Sequence, residues 1–108
     1  RAMSYIMGIP ERPTALVVID DLVAYGVLRG LSELGFRVPE DISLISFNNI
    51  AISALTTPPL SSIDIGIYQM GYTATQALIR KMVSERDYSE RIIIPHRIVL
   101  RESTRPVK

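Results

Sequence analysis

The run Ala15-Leu16-Val17-Val18-Ile19-Asp20-Asp21, answered further along by Ile42-Ser43-Leu44-Ile45-Ser46-Phe47-Asn48-Asn49, decides the fold. Each segment is a short apolar stretch that ends on a pair of polar residues. An unbroken run of this kind, rich in β-branched side chains, reads as a strand buried on both faces, as in a parallel sheet. Between the two, Val23, Val27, Leu31 and Leu34 repeat at three- and four-residue steps, and Ala24 and Leu28 widen the stripe. Gly35 stands where a helix would stop, so a helix is predicted from about Asp21 to Leu34. Two strands joined by a helical crossover are almost always parallel and right-handed. The unit is β-α-β and the fold class is α/β.

Working outward, Arg1 to Ile9 places Ala2, Tyr5, Ile6 and Ile9 at helical spacing with no capping residue before them, and reads as the tail of a helix begun further upstream. Gly8, Pro10 and Pro13 then turn the chain into the first strand. On the other side, Pro58 and Pro59 punctuate a loop, and Leu60 to Ile65 gives a short extended stretch. Ile67, Met70, Ala74, Leu78 and Met82 mark a second long helix ending near Glu85. Ile92 to Ile94 and Arg97 to Leu100 are predicted as short strands around Pro95, which cannot donate to a ladder and so suggests an edge or a bend. Glu102 to Lys108 has no apolar periodicity and is expected to fray.

At 108 residues the chain makes one modest domain, able to bury roughly two thirds of its unfolded surface. Hydrophobic residues at 47% and charged residues at 21% place it among globular chains rather than disordered ones. A formal charge of +1 supplies no general field toward phosphate backbones or anionic membranes, so contact with DNA must come from residues outside this chain. Cysteine is absent, which removes disulfides, thiol catalysis and the commonest zinc ligands, and the cytoplasm is the expected compartment. No apolar run approaches the roughly 18 residues that span a bilayer. A glycine-rich phosphate loop, a nucleophile elbow and paired metal-binding histidines are all missing, and the lone His96 in a predicted strand reads as structural. The expectation is a protein that is not an enzyme and has no catalytic residue, metal site or cofactor.

The polar pairs hold what chemistry there is. In open α/β sheets ligands bind outside the carboxyl ends of the strands, so Asp20, Asp21, Asn48 and Asn49 should line one rim, where carboxylates and amides can hydrogen-bond hydroxyls or amines. The plainer reading is that Asp20 caps the helix behind it and the asparagines shape a turn; both roles can coexist. Gly26 and Gly30, four apart on the helix, fit either close packing of that helix on the sheet or an interface with another helix near Tyr25, Leu28 and Arg29.

Taken in order, Pro13-Thr14-Ala15-Leu16, Ile19-Asp20-Asp21, Ala24-Tyr25-Gly26, Val38-Pro39-Glu40-Asp41-Ile42 through Asn49, Thr57-Pro58-Pro59-Leu60-Ser61-Ser62-Ile63, Met70-Gly71 and Arg101-Glu102-Ser103-Thr104 resemble the effector domain of lactose- and galactose-repressor-type transcription regulators. Within that family the chain most resembles maltose-operon repressors. The resemblance implies a periplasmic-binding-protein-like lobe, a parallel sheet flanked by helices, as part of a two-lobed effector domain. Residues 1–108 would be its carboxyl-terminal part, without the DNA-binding helix-turn-helix. It implies a sugar effector, maltose or a relative, held through Asp20 and Asn48. The second of these positions is usually acidic in the family, and the amide here keeps an acceptor and adds donors but removes a charge. It further implies a homodimer interface drawing on Tyr25, Leu28, Arg29 and Thr56, and operator DNA as a partner only through the missing domain. The competing expectation is a lobe of an extracytoplasmic sugar-binding transport protein, which shares the fold.

Overall fold

The computed structural model describes residues 1–107, and its elements follow the order α1 (Ala2–Gly8), β1 (Ala15–Val17), α2 (Asp21–Glu33), β2 (Ser43–Phe47), a 3-10 turn (Ala51–Ala54), β3 (Ser61–Asp64), α3 (Ile67–Val83) and β4 (Arg97–Val99). The four strands form one sheet in the spatial order β1-β2-β3-β4. β1 and β2 are parallel with Ala15 opposite Ser43, β2 and β3 are parallel with Ile45 opposite Ser61, and β4 returns antiparallel with Arg97 opposite Asp64. The carboxyl ends of three strands and the start of the fourth therefore share one rim.

The stripe on α2 meets one face of this sheet. Ala24 and Leu31 on the helix and Ile42, Leu44 and Leu60 beneath it are fully buried. Val18, Ala24, Leu44 and Leu60 form one cluster, with Leu28 and Tyr25 packed at its margin. A second cluster joins Met7 of α1 to Leu31 and Ile42. A Cβ on Gly30 would lie 3.1 Å from Met3 Cγ, while one on Gly26 meets nothing within 4 Å. Gly30 thus serves a helix-to-helix contact inside the chain, because α1 crosses α2 where a side chain would intrude. Gly35, at φ +79°, takes the left-handed conformation that ends α2, as the sequence suggested.

Three expectations need correction. β1 is not buried on both faces: Val17 and Ile19 are 70% and 78% exposed, because α2 covers one face only and β1 is an edge strand. Residues 92–94 form no strand. The β4 ladder begins at Arg97 opposite Asp64, the last residue of β3, and beyond it the partner chain has already turned into α3. The tail is tied down rather than frayed as far as Arg105. Ser103 is fully buried, its Oγ donates to the Leu44 carbonyl at 2.6 Å and accepts from the Ser61 amide, and the Arg105 amide donates to Ser43 Oγ at 3.2 Å. Periodicity could not reveal this, because side-chain and backbone hydrogen bonds hold the segment rather than apolar packing. Lys108, the last residue of the predicted frayed segment, lies outside the described residues.

α3 stands apart. None of its residues is buried, and the apolar face that its spacing predicted leaves Ile67 47%, Leu78 59% and Met82 75% exposed. The molecule is accordingly elongated, about 60 Å by 25 Å by 24 Å.

Candidate functional site

Asp20 and Asn48 lie at the carboxyl ends of the neighbouring strands β1 and β2, so the structure brings both predicted residues to one rim. Asp20 is the N-cap of α2: its Oδ1 accepts from the Val23 amide at 2.8 Å and its carbonyl accepts from Ala24. The plain role is therefore filled, worth about 1 kcal/mol, and the residue stays partly exposed with no hydrogen bond to its second oxygen among the described residues. Asn48 has φ +99° and Asn49 φ +49°, a reversal that asparagine tolerates better than other non-glycine residues. The Asn48 amide nitrogen donates to the Ile63 carbonyl at 2.9 Å, fixing the turn against β3. Among the described residues no hydrogen bond engages the Asn48 side chain.

Sequence reasoning put Asp21 on the rim as well; the structure buries it. At 1% exposure its carboxylate is the acceptor for four donors. Oδ1 accepts from Ser46 Oγ and from Ser62 Oγ at 2.7 Å; Oδ2 accepts from Ser53 Oγ at 2.6 Å and from the Ile50 amide at 2.9 Å. Burial alone would raise the pKa of this carboxyl, but the donations from Ser46, Ser53, Ser62 and Ile50 outweigh it and hold the value below the ordinary 3.8. Part of a signal was present in the sequence: Ser46 sits in a largely apolar strand, and a buried hydroxyl requires an acceptor, but only strand pairing decides that Asp21 supplies it.

The rim continues across the sheet through a chain of polar side chains that the sequence did not announce. Arg101 donates to Asn49 Oδ1 at 2.6 Å and to the Leu60 carbonyl at 2.7 Å. Asn49 Nδ2 donates to Asp64 Oδ2 at 3.3 Å, the same oxygen that Arg97 approaches at 3.3 Å. The Gly66 amide, then Asn49 and Arg97, hold the Asp64 carboxyl below its usual range. Asn49 is thus fixed in orientation by a cation on its oxygen and an anion on its nitrogen. Of the four polar residues after β1 and β2, Asp21 and Asn49 are committed to side-chain networks across the sheet, whereas Asp20 caps α2 through one oxygen and the Asn48 side chain has no hydrogen bond among the described residues.

The residues expected at a dimer surface are close to one another. The Tyr25 hydroxyl lies 3.1 Å from Ser53 Oγ, and Thr56 Oγ1 donates to the Ser53 carbonyl at 3.1 Å and to the Pro58 carbonyl at 2.9 Å. Both residues therefore grip the loop after β2. Arg29 is exposed and pairs with Glu33, whereas Leu28 is partly buried against the core, so a charge there would disturb packing as well as any interface. A surface cavity of about 530 Å³ lies between α1 and α2, lined among others by Leu22, Gly26 and Arg29, and neither Asp20 nor Asn48 lines it. A rim with one wall is a shelf rather than a cavity. Among the described residues no cluster of histidine, aspartate and glutamate could hold a metal ion.

With this geometry in hand, comparison with known proteins gives a consistent answer. The periplasmic binding protein-like domain family matches residues 2–104. The HTH-type transcriptional repressor PurR of Escherichia coli is 36% identical over 103 residues, covering 95% of this chain and 30% of the repressor. The chain thus spans about a third of the length of the curated relatives it matches. Among solved structures, a protein of Bacillus cereus subsp. cytotoxis assigned as a transcriptional regulator LacI superposes with a TM-score of 0.94 at 42% identity, covering 99% of this chain and 38% of the other. A LacI family transcriptional regulator from Enterococcus faecalis with bound ribose superposes with a TM-score of 0.89 at 31% identity, covering 99% and 39%. From residue 2 to residue 104, therefore, this chain is a member of the periplasmic binding protein-like domain family, in the form found in LacI-type transcription regulators.

Proposed function

We propose that this chain is the effector-sensing and dimerisation part of a sugar-responsive transcriptional repressor, with the effector held at the rim carrying Asp20 and Asn48. The observation that carries this reading is the division of labour at the two strand ends. One residue of each pair is locked into the scaffold, and the other is presented where ligands bind in folds of this type. The fold match to a regulator with bound ribose supports a sugar as the ligand class, and the similarity to a repressor supports an operator-binding parent. A neutral sugar suits this rim: Asp20 accepts from hydroxyls, and the Asn48 amide both accepts and donates. Maltose or a related oligosaccharide is the specific ligand proposed.

Binding requires no covalent chemistry. A sugar that fits one arrangement of two lobes better than another shifts the population between them, and the DNA-binding heads respond. Operator contact in this reading belongs to a helix-turn-helix elsewhere in the parent, whose two-fold sites require a homodimer. The interface proposed draws on Tyr25, Leu28, Arg29 and Thr56, and the protein acts in the cytoplasm. No helix among the described residues is long and apolar enough to cross a membrane. The transport-lobe alternative finds less support, since the similar proteins named above are regulators.

The test uses the full-length protein that carries this chain, bound to DNA it selects from a random pool. Maltose, ribose and cellobiose are titrated against the complex. The reading expects one of them to change DNA affinity at least about tenfold, the scale of allosteric coupling. Sugar binding by a protein that selects no DNA would instead favour the transport lobe.

A further inference from the structure

The carboxylate that the rim does not use has a place in the fold that points to a second role. Asp21 Oδ1 receives Ser62 Oγ at 2.7 Å, and the same Ser62 Oγ accepts from the Asn49 amide at 2.9 Å. That branch runs into the turn whose preceding residue is Asn48. Oδ2 receives Ser53 Oγ at 2.6 Å, and Ser53 in turn meets the Tyr25 hydroxyl through its Oγ and Thr56 through its carbonyl. That branch runs into the loop following the 3-10 turn. The Ile50 amide, donating to Oδ2 at 2.9 Å, stands where the two branches meet along the chain. Ser53, Ser62 and Ser46, which also donates to Oδ1, are fully buried, so water offers no substitute partner, and every buried side-chain polar atom among the described residues is satisfied.

We propose that Asp21 is a positioning residue which fixes the turn presenting Asn48 and couples that turn to the loop gripped by Tyr25 and Thr56. Oδ1 serves Ser62 while Oδ2 serves Ser53 and the Ile50 amide, so the carboxylate cannot shift toward one serine without loosening the other. The packed surroundings leave it no third option. A ligand that pulls the Asn48 turn outward draws Ser62 and the Ile50 amide, then the carboxylate, then Ser53. The physical coupling is this sequence of hydrogen bonds, all between residues that contact one another. The proposal rests on the effector-rim reading for its biological meaning but not for its test, which contains no ligand.

The experiment is residue-resolved amide hydrogen exchange on this 108-residue chain, comparing the native sequence with Ser53→Ala and with Ser62→Ala. Ser53→Ala touches only the loop branch. Coupling through Asp21 makes the Asn49 amide on the other branch, which donates to Ser62 Oγ, exchange about fivefold faster or more, which is what losing one well-formed hydrogen bond's worth of protection allows. Ser62→Ala should reciprocally speed the Ser53 and Leu55 amides, whose acceptors are the Ile50 and Ile52 carbonyls. Asp21→Asn should speed both sets together. The Phe36 amide, bonded to the Leu31 carbonyl at the far end of α2, reports on the rest of the fold and should stay within about twofold. Two outcomes overturn the proposal: each serine variant altering only its own branch, or a uniform rise that includes Phe36. If Asp21→Asn does not fold, the two serine variants still decide, since each removes one hydroxyl and leaves the carboxylate in place. Failure here would leave the effector-rim reading standing, because that reading is judged by sugar binding alone.

Discussion

α2 and α3 carry the same kind of apolar repeat and meet opposite fates. On α2 the stripe through Ala24 and Leu31 is sealed against the sheet, whereas on α3 no residue is buried although Met70, Leu78 and Met82 recur as regularly. Periodicity states that a helix has an apolar face; it does not state what covers it. The difference follows from topology. α2 lies within the β1–α2–β2 crossover and is folded back onto the strands it joins, while α3 leaves β3 at Gly66 and runs away from them before the chain returns as β4.

The strongest way to break that contrast is to truncate one residue in each region. Leu44→Ala, beneath α2, should cost about 2–5 kcal/mol by urea denaturation, the range for removing a buried leucine. Leu78→Ala on α3 should cost less than about 0.5 kcal/mol in this chain, since the side chain already meets water. Comparable losses at both sites would mean that α3 folds back in solution. A much larger loss for Leu78→Ala in the full-length protein than in this chain would show that another part of the parent covers the arm.

The second contrast lies between adjacent carboxylates. Asp21→Ala leaves Ser46, Ser53, Ser62 and the Ile50 amide without their shared acceptor and should destabilise by about 3 kcal/mol, whereas Asp20→Ala removes one cap bond and should cost about 1 kcal/mol. Acid sharpens the comparison. Because the Asp21 pKa is lowered in the folded chain, its contribution to stability is complete above the ordinary 3.8 and is lost as pH falls through the lower native value. The native chain should therefore lose stability more steeply below pH 3.8 than the Asp21→Asn variant, as read from denaturation midpoints against pH. Equal slopes would remove Asp21 from the acid response.

The β-α-β unit was legible because its signals are local: apolar runs at 15–19 and 42–47, a 3.6-residue stripe between them, and Gly35 at the end. The rim was legible for the same reason, since strand ends are where the polar pairs stand. What each member of a pair does was not. Asp20 and Asp21 are chemically identical in the sequence, and only the pairing of β1 with β2 and β2 with β3 brings Ser46, Ser53 and Ser62 around the second of them. The tail escaped for a related reason. Ser103 is held by the Leu44 carbonyl and the Ser61 amide, residues far away along the chain, and no periodicity in Glu102–Lys108 encodes that. β1 was misjudged on its outer face because a continuous apolar run reads the same whether one face or two are covered in the chain at hand.

The effector rim itself is decided by titration calorimetry on the full-length protein, using whichever of maltose, ribose or cellobiose alters its DNA affinity, with native Asn48 and with Asn48→Ala. No hydrogen bond among the described residues engages the Asn48 side chain, so its truncation should cost the fold only the strain of an alanine at φ +99°, about 1 kcal/mol, and weaken sugar binding by about 1–3 kcal/mol, roughly fivefold to 150-fold. DNA affinity without sugar should stay unchanged. Sugar affinity unaltered by Asn48→Ala would contradict the account and return Asn48 to the single task of shaping the turn after β2.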